Sequence, residues 1–166
     1  MASLLCTIGV LAGAACANSE SRTSAAPEVV HWTASPTRKE TRADGSTLVT
    51  ARLTARVDSG WKFYSLEQKG TGPLPMLLGV DSAALHSVVK VEGPSAVVSV
   101  DPVFGDSTAT YSGTPEFTVS FEIPPGAKVP ESLSFAVRAQ ACSDSICLPP
   151  RSTRVTVPTS AVKIGN

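Results

Sequence analysis

The sequence predicts an all-β protein built as a two-sheet antiparallel sandwich. Composition is the first observation, because 13 Pro and 12 Gly in 166 residues are typical of short strands joined by turns. Alternation is the second, since apolar and polar residues alternate along several segments, as they do on strands that bury one face. Spacing is the third, because roughly eight or nine such segments follow one another about every ten residues, as in antiparallel sandwiches.

The first strands are predicted before residue 60. Residues 29–34 form a short strand, and an Asp-Gly turn at 44–45 follows it. The clearest strand is 47–57, in which five apolar residues at odd positions alternate with Thr and Arg at even positions.

The later strands are predicted from turns and from renewed alternation. Short apolar segments, each set off by Gly, Pro, Asp or Ser, predict strands at residues 61–66, 76–80 and 86–92. Strict alternation predicts half-buried strands at residues 117–123 and 133–141. Prolines bound a final strand at 154–157, and no segment shows a helical period.

Length and charge narrow the class further. A chain of 166 residues supports one hydrophobic core and is too short for two ordinary domains. The 14 basic residues balance the 14 acidic ones, and both are scattered along the chain. Nucleic-acid binding and electrostatic attachment to a membrane surface are therefore not indicated.

The amino terminus is typical of an export signal. Residues 4–17 are uncharged and small or apolar, and the polar segment 18–28 follows them. An apolar run of about 14 residues is too short to cross a bilayer comfortably. It ends in Ala15-Cys16-Ala17, small residues of the kind that a signal peptidase accepts. We therefore expect an exported protein.

Cys16 leaves a second processing route open. Ala14-Ala15-Cys16 also fits a lipoprotein signal that is cleaved before Cys16, with membrane attachment through a lipid on that cysteine, although Gly13 lies where such signals usually carry a larger aliphatic residue. Either route removes Cys6, and the folded part then keeps one cysteine pair, an even count that suits an oxidising compartment. The expected organisation is a signal peptide (residues 1–17), a flexible tether (18–28), one sandwich domain (29–160) and a tail (161–166).

The remaining cysteine pair is the strongest candidate site. Cys142 and Cys147 are the only cysteines beyond residue 16, and they lie between the last two predicted strands, at the base of one hairpin. This placement can bring their Cα atoms within the roughly 4.4–6.8 Å that a disulfide needs. A bond there would close a small loop and stabilise the fold by about 3 kcal/mol or less. Spacing alone leaves a structural disulfide, a redox pair and a metal site open.

The residues between the cysteines bear on reactivity. Ser143, Asp144 and Ser145 keep this connection polar, so a partner thiolate can reach a sulfur in line with the bond. No Lys, Arg or His lies between the cysteines to activate a thiol, and Asp144 would disfavour a thiolate. We therefore expect a pair that is acted upon by a partner.

Other kinds of site are not indicated. His31 and His86 are single histidines on strand-like segments, so neither a metal site nor a cofactor is expected. The 69–75 loop lacks the Lys-Ser/Thr pair of a phosphate-binding loop. The carboxylates fall singly in turns and on predicted exposed faces, where solvation accounts for them.

Three stretches of the chain resemble one known family. The first reads GWKFYS at residues 60–65 with GPLP at 72–75. The second reads DPVFG at residues 101–105 with YSG at 111–113. The third reads QAC at residues 140–142 with CLPP at 147–150. In these stretches the chain resembles the N-terminal periplasmic domain of the thiol:disulfide interchange protein DsbD and its standalone exported relatives. The resemblance implies an immunoglobulin-like β-sandwich that works in the periplasm.

The resemblance also implies roles for individual residues. Cys147 would exchange with partners through a mixed disulfide, and Cys142 would resolve it. Asp101, Val103, Phe104 and Gly105 would belong to a cap loop over the pair. Tyr64 would be an aromatic residue beside the pair. Either Val103 or Phe104 is expected to cover the sulfurs.

The function that the resemblance implies is that of a thiol:disulfide oxidoreductase, a component of protein-disulfide reduction. Electrons would come from a thioredoxin-like protein or a membrane electron carrier of DsbD type. They would pass to periplasmic disulfide isomerases and cytochrome c maturation proteins. The alternative is an immunoglobulin-like binding or structural lipoprotein domain, in which the same bond only pins a hairpin.

Overall fold

A computed structural model describes residues 26–68, 72–80 and 87–159 of the chain. Within these ranges it contains eleven β-strands and no α-helix. The strands are β1 (Val30–Thr41), β2 (Thr47–Val57), β3 (Lys62–Tyr64), β4 (Leu77–Val80), β5 (Ser87–Glu92), β6 (Val97–Val100), β7 (Ser107–Tyr111), β8 (Glu116–Ile123), β9 (Ser132–Ala139), β10 (Ala141–Cys142) and β11 (Arg151–Pro158). The predicted signal peptide with Cys16, most of the tether, His86 and the 161–166 tail lie outside the described residues.

The described strands pair antiparallel and form three sheets. Their orders are β1-β2-β8-β5, β10-β3-β7-β6 and β11-β9-β4. The predicted all-β antiparallel sandwich is confirmed, but hydrogen bonding defines three sheets where the sequence predicted two. The division arises at Gln140, because β9 ends at Ala139 in the third sheet and the chain continues past Gln140 as β10 in the second.

Alternation along the strands builds the hydrophobic core. In β2 every second side chain is buried, and β8 and β9 bury alternate residues in the same way. Phe121 packs edge-on against Phe135 with 6.0 Å between ring centroids, which joins the first sheet to the third. Trp32 and Phe63, 5.5 Å apart, join the first sheet to the second. Such aromatic pairs add about 0.5–1.5 kcal/mol each beyond the area they bury.

Several strands differ from the prediction. The sequence does not predict β6, since all four of its side chains are exposed and show no alternation of burial, or β7, which is short and polar. β1 runs on to Thr41 through a bulge between Pro36 and Arg38, as an edge strand permits. β11 begins earlier than predicted, at Arg151, because it pairs with the whole of β9.

Candidate thiol-disulfide site

Cys142 and Cys147 form a disulfide with an S–S distance of 1.98 Å. The two residues face each other in an isolated antiparallel bridge. Its flanking hydrogen bonds run from the Ser143 N–H to the Ile146 carbonyl (2.8 Å) and from the Leu148 N–H to the Ala141 carbonyl (2.9 Å). The cysteines therefore occupy a non-hydrogen-bonded position, where opposed side chains come closest. This pairing explains why their Cα atoms are only 4.0 Å apart, below the range expected from the sequence.

The turn between the cysteines is closed by Ser143. Its hydroxyl accepts hydrogen bonds from the N–H groups of Ser145 (3.3 Å) and Ile146 (3.1 Å). Burial differs across the bond, because Cys142 is fully buried and Cys147 is half-buried. Ile146, next to Cys147, leaves 55% of its surface exposed. The more accessible cysteine, Cys147, thus lies at the end of an exposed turn.

Strand β3 supplies the side chains that face the disulfide. Ala141 pairs with Phe63, and Cys142 pairs with Lys62. Because successive side chains of a strand point to opposite faces, Phe63 enters the core while Lys62 and Tyr64 share the face of Cys142. The Tyr64 hydroxyl lies 3.9 Å from Sγ of Cys147. Tyr64 therefore lies beside Cys147.

Asp101 is the second group at the site. Its carboxylate is fully buried and accepts a 2.9 Å hydrogen bond from the Tyr64 hydroxyl. The prediction that solvation accounts for the carboxylates is wrong for this residue. The sequence does not indicate this burial, because the residues of β6 and β7, which flank Asp101, do not predict strands.

The segment from Asp101 to Gly105 folds around the same carboxylate. The other carboxylate oxygen accepts hydrogen bonds from the N–H groups of Val103 (2.9 Å) and Phe104 (3.3 Å). The Gly105 N–H donates to the Asp101 carbonyl at 2.7 Å, and Gly105 has a φ of +70°, which glycine adopts without strain. The Phe104 ring packs edge-on against Tyr64 at 6.1 Å. We call this five-residue segment the cap loop.

Lys62 brings a positive charge to the site. Its Nζ lies 3.4 Å from the Asp101 carboxylate and 3.3 Å from the carboxylate of Asp144 in the cysteine turn. No Lys, Arg or His lies between the cysteines in the sequence, but the fold brings Lys62 of β3 to the two carboxylates beside them. Alternation in β3 is the signal that could have identified Lys62, because it places residues 62 and 64 on one face.

Opposing influences act on the pKa of Asp101. Burial is the largest and raises it, but hydrogen bonds from the cap loop and from Tyr64, together with the charge of Lys62, leave the pKa below the ordinary value. Burial and the neighbouring carboxylate raise the pKa of Tyr64 well above its ordinary value. At neutral pH Asp101 is thus ionised and Tyr64 is a neutral donor.

The remaining candidates lie apart from this arrangement. His31 contacts Asp58, with 3.2 Å between Nε2 and the carboxylate. Among the described residues, no group of three or more His, Cys, Asp and Glu side chains is placed to hold a metal ion. Within the same ranges, no helix has the length and apolarity that a membrane span requires.

The fold and the site together define a class. An antiparallel sandwich that carries a half-accessible disulfide, with a phenol and a buried carboxylate beside it, is a thiol-disulfide exchange module. The family model described as thiol:disulfide interchange protein DsbD, N-terminal, matches residues 34–159, more than half of the chain. The chain belongs to the DsbD N-terminal domain family, and its fold is an immunoglobulin-like sandwich.

The chain is similar to several solved structures at low sequence identity. The N-terminal periplasmic domain of ScsB from Proteus mirabilis has a TM-score of 0.52 and 17% identity, over 74% of this chain and 44% of that one. This chain thus spans less than half of the ScsB chain. The reduced DsbD N-terminal domain of Neisseria meningitidis has a TM-score of 0.47 and 16% identity, over 72% and 81%.

The complex between the DsbD and PilB N-terminal domains of Neisseria meningitidis gives a TM-score of 0.40 and 20% identity, over 73% of this chain and 79% of that one. No curated protein sequence matches this chain significantly.

Proposed function

We propose that this domain is an exported thiol-disulfide exchange module of the periplasm, a component of protein-disulfide reduction. It relays electrons through Cys142 and Cys147. The observation that carries the proposal is the unequal burial across the disulfide, because Cys142 is fully buried while Cys147 is half-buried beside an exposed turn. A bond that only pins a hairpin needs no accessible sulfur. Membership in the DsbD N-terminal family supports the same chemistry.

The exchange takes two steps. A thiolate of the donor protein attacks Sγ of Cys147, the bond between the cysteines breaks, and Cys142 leaves as a thiolate that takes up a proton. The donor's second thiolate then attacks the donor sulfur of the mixed disulfide, and Cys147 leaves and is protonated in turn. Two electrons and two protons have passed from the donor dithiol to this domain. The reverse sequence on an oxidised substrate restores the disulfide.

The order of attack follows from access and from the neighbouring phenol. An incoming thiolate must approach in line with the S–S bond, and Cys147 is the less buried of the two cysteines. The Tyr64 hydroxyl donates its single proton to Asp101, so its oxygen, 3.9 Å from that sulfur, can accept a hydrogen bond from the Cys147 thiol that forms when this sulfur leaves and is protonated. Cys147 is therefore assigned as the exchanging sulfur and Cys142 as the resolving one.

The cap loop limits which thiols reach the pair. Phe104 is assigned the covering role, because its ring packs on Tyr64 and Tyr64 in turn reaches Cys147. Val103 and Phe104 are each about two-fifths exposed, and Ile146 is more exposed still. These three apolar side chains offer a partner a surface beside the reactive sulfur.

The partners are proteins that carry reactive dithiols or disulfides. The donor is a thioredoxin-like protein or a membrane electron carrier of DsbD type. The acceptors are periplasmic disulfide isomerases or cytochrome c maturation proteins. Lipidation at Cys16 would hold the module at the membrane, whereas cleavage after Ala17 would release it. Family membership supports this partner class.

Trapping of a mixed disulfide tests the proposal. The Cys142→Ala variant should form a stable mixed disulfide with a thioredoxin that lacks its resolving cysteine and is activated with thionitrobenzoate. The matched Cys147→Ala variant keeps only the buried thiol and should react at least about tenfold more slowly, because access limits exchange. Equal rates for the two variants, or no adduct with either, would contradict the proposed function.

A further inference from the structure

We propose that Lys62 is a positioning residue for thiol exchange, whose ammonium group neutralises the buried Asp101 carboxylate and so permits an anionic thiolate to approach Cys147. This inference rests on the proposed exchange function. It identifies the group that sets the charge preference of the site.

The placement of Lys62 is fixed by strand pairing. Its backbone pairs with Cys142, so its side chain leaves the sheet on the face that carries the disulfide. Only 17% of the Lys62 side chain is exposed, and its Nζ lies 3.4 Å from a carboxylate oxygen of Asp101. The same oxygen accepts the hydrogen bond from Tyr64, whose hydroxyl contacts Cys147. A continuous path of polar contacts thus links Lys62 to the exchanging sulfur.

Asp101 would repel an incoming thiolate if its charge were not balanced. Three donors hold it in the ionised form, namely the N–H groups of Val103 and Phe104 and the hydroxyl of Tyr64. Loss of Lys62 would leave these donors in place, so the carboxylate would stay charged and would lack its cation. A fixed negative charge close to the disulfide raises the barrier for attack by another anion.

The two ion pairs of Lys62 differ in strength. Asp144 is 89% exposed, so its pair with Lys62 is screened by water and salt. Asp101 is fully buried, and its pair is screened far less. The inner pair therefore controls the charge at the disulfide, and Asp144 serves as a comparison residue.

Exchange with small thiols of opposite charge tests the role of Lys62. Second-order rates of disulfide reduction are measured for the full folded protein with 2-mercaptoethanesulfonate, an anionic thiol that attacks as a dianion, and with cysteamine, a cationic thiol that attacks as a net-neutral zwitterion. Lys62→Met should lower the ratio of the anionic thiol's rate to the cationic thiol's rate by about fivefold, the effect expected of one unit charge roughly 4 Å away in water. In 1 M salt this decrease in the rate ratio should be smaller, because the Debye length is then about 3 Å and the charge of Lys62 is screened. A merely structural role would slow both thiols equally and leave the ratio unchanged.

Matched variants separate the electrostatic role from misfolding. Lys90→Met removes an exposed lysine that pairs with Glu92 in another sheet, and it should leave the ratio unchanged. Asp144→Asn should raise the ratio by less than about twofold, as for an exposed pair. Lys62→Arg should restore the wild-type ratio. Asp101→Asn should raise it, which tests the charge balance without altering Lys62.

The outcomes distinguish the two proposals. If the wild type exchanges with both thiols and a folded Lys62→Met variant keeps the wild-type ratio, the Lys62 inference is wrong and the exchange function stands. The same conclusion follows if Asp101→Asn leaves the ratio unchanged. If the wild-type disulfide reacts with neither thiol, both proposals are contradicted.

Discussion

The Tyr64 hydroxyl donates a 2.9 Å hydrogen bond to the Asp101 carboxylate, although the two residues are 37 positions apart. Both side chains are fully buried. The bond ties β3, which faces the disulfide, to the cap loop between β6 and β7. It therefore connects the surroundings of the Cys147 sulfur to the loop for which we propose a role in limiting access to it.

Tyr64→Phe should weaken both the cap and the exchange reaction. The substitution removes one of the donors to a buried carboxylate and should lower the free energy of unfolding by about 1–3 kcal/mol. It also removes the hydroxyl beside Cys147, so reduction by dithiothreitol should slow. Urea unfolding and stopped-flow reduction measure the two effects. An unchanged reduction rate would show that the hydroxyl does not assist the exchange.

Asp101 should make stability depend on pH in the acid range. Its pKa is lowered in the folded state, so its contribution is fully present above the unfolded-state value of about 3.9 and is lost as the pH falls through the folded value. Asp101→Asn lacks this contribution. The difference in unfolding free energy between wild type and variant should therefore be largest near pH 7 and should shrink below about pH 4. A difference that stays constant down to the acid limit would contradict the lowered pKa.

Reduction of the disulfide should leave the fold intact. The cysteines are five positions apart, and a loop of this size limits the entropic stabilisation to about 2 kcal/mol. Urea unfolding with and without a phosphine reductant should differ by about this amount. If reduction unfolds the domain, the bond is a structural staple and the redox interpretation loses its main support.

Gly105 and Gly113 form a matched pair for testing the cap loop. Both have a positive φ, +70° and +69°, and a Cβ at either position meets no atom within 4 Å. Alanine at either site should cost about 1 kcal/mol of stability, because only the backbone is strained. Only Gly105→Ala should also speed reduction by small thiols, since only Gly105 lies in the cap loop. Equal rates for both variants would show that the loop does not limit access.

Local patterns in the sequence predict most of the fold and the cysteine pair. Alternation from 47 to 57 and from 117 to 123 reflects burial of one face, which each strand carries in its own residues. The contacts of Lys62 and Asp101 could not be predicted in this way. They arise from the pairing of β3 with β10 and from the β6–β7 hairpin, and the exposed valines of β6 carry no alternation that would reveal it. The resemblance indicated which segments meet, but not the charge balance between them.

The reduction potential of the Cys142–Cys147 pair tests the central claim most directly. It is measured by equilibrating the domain with thioredoxin or with dithiothreitol of known ratio and quantifying the free thiols. An exchange-active pair should have a potential above about −300 mV, the level below which inert structural disulfides lie. A potential well below that level would contradict the assignment of this disulfide to electron transfer.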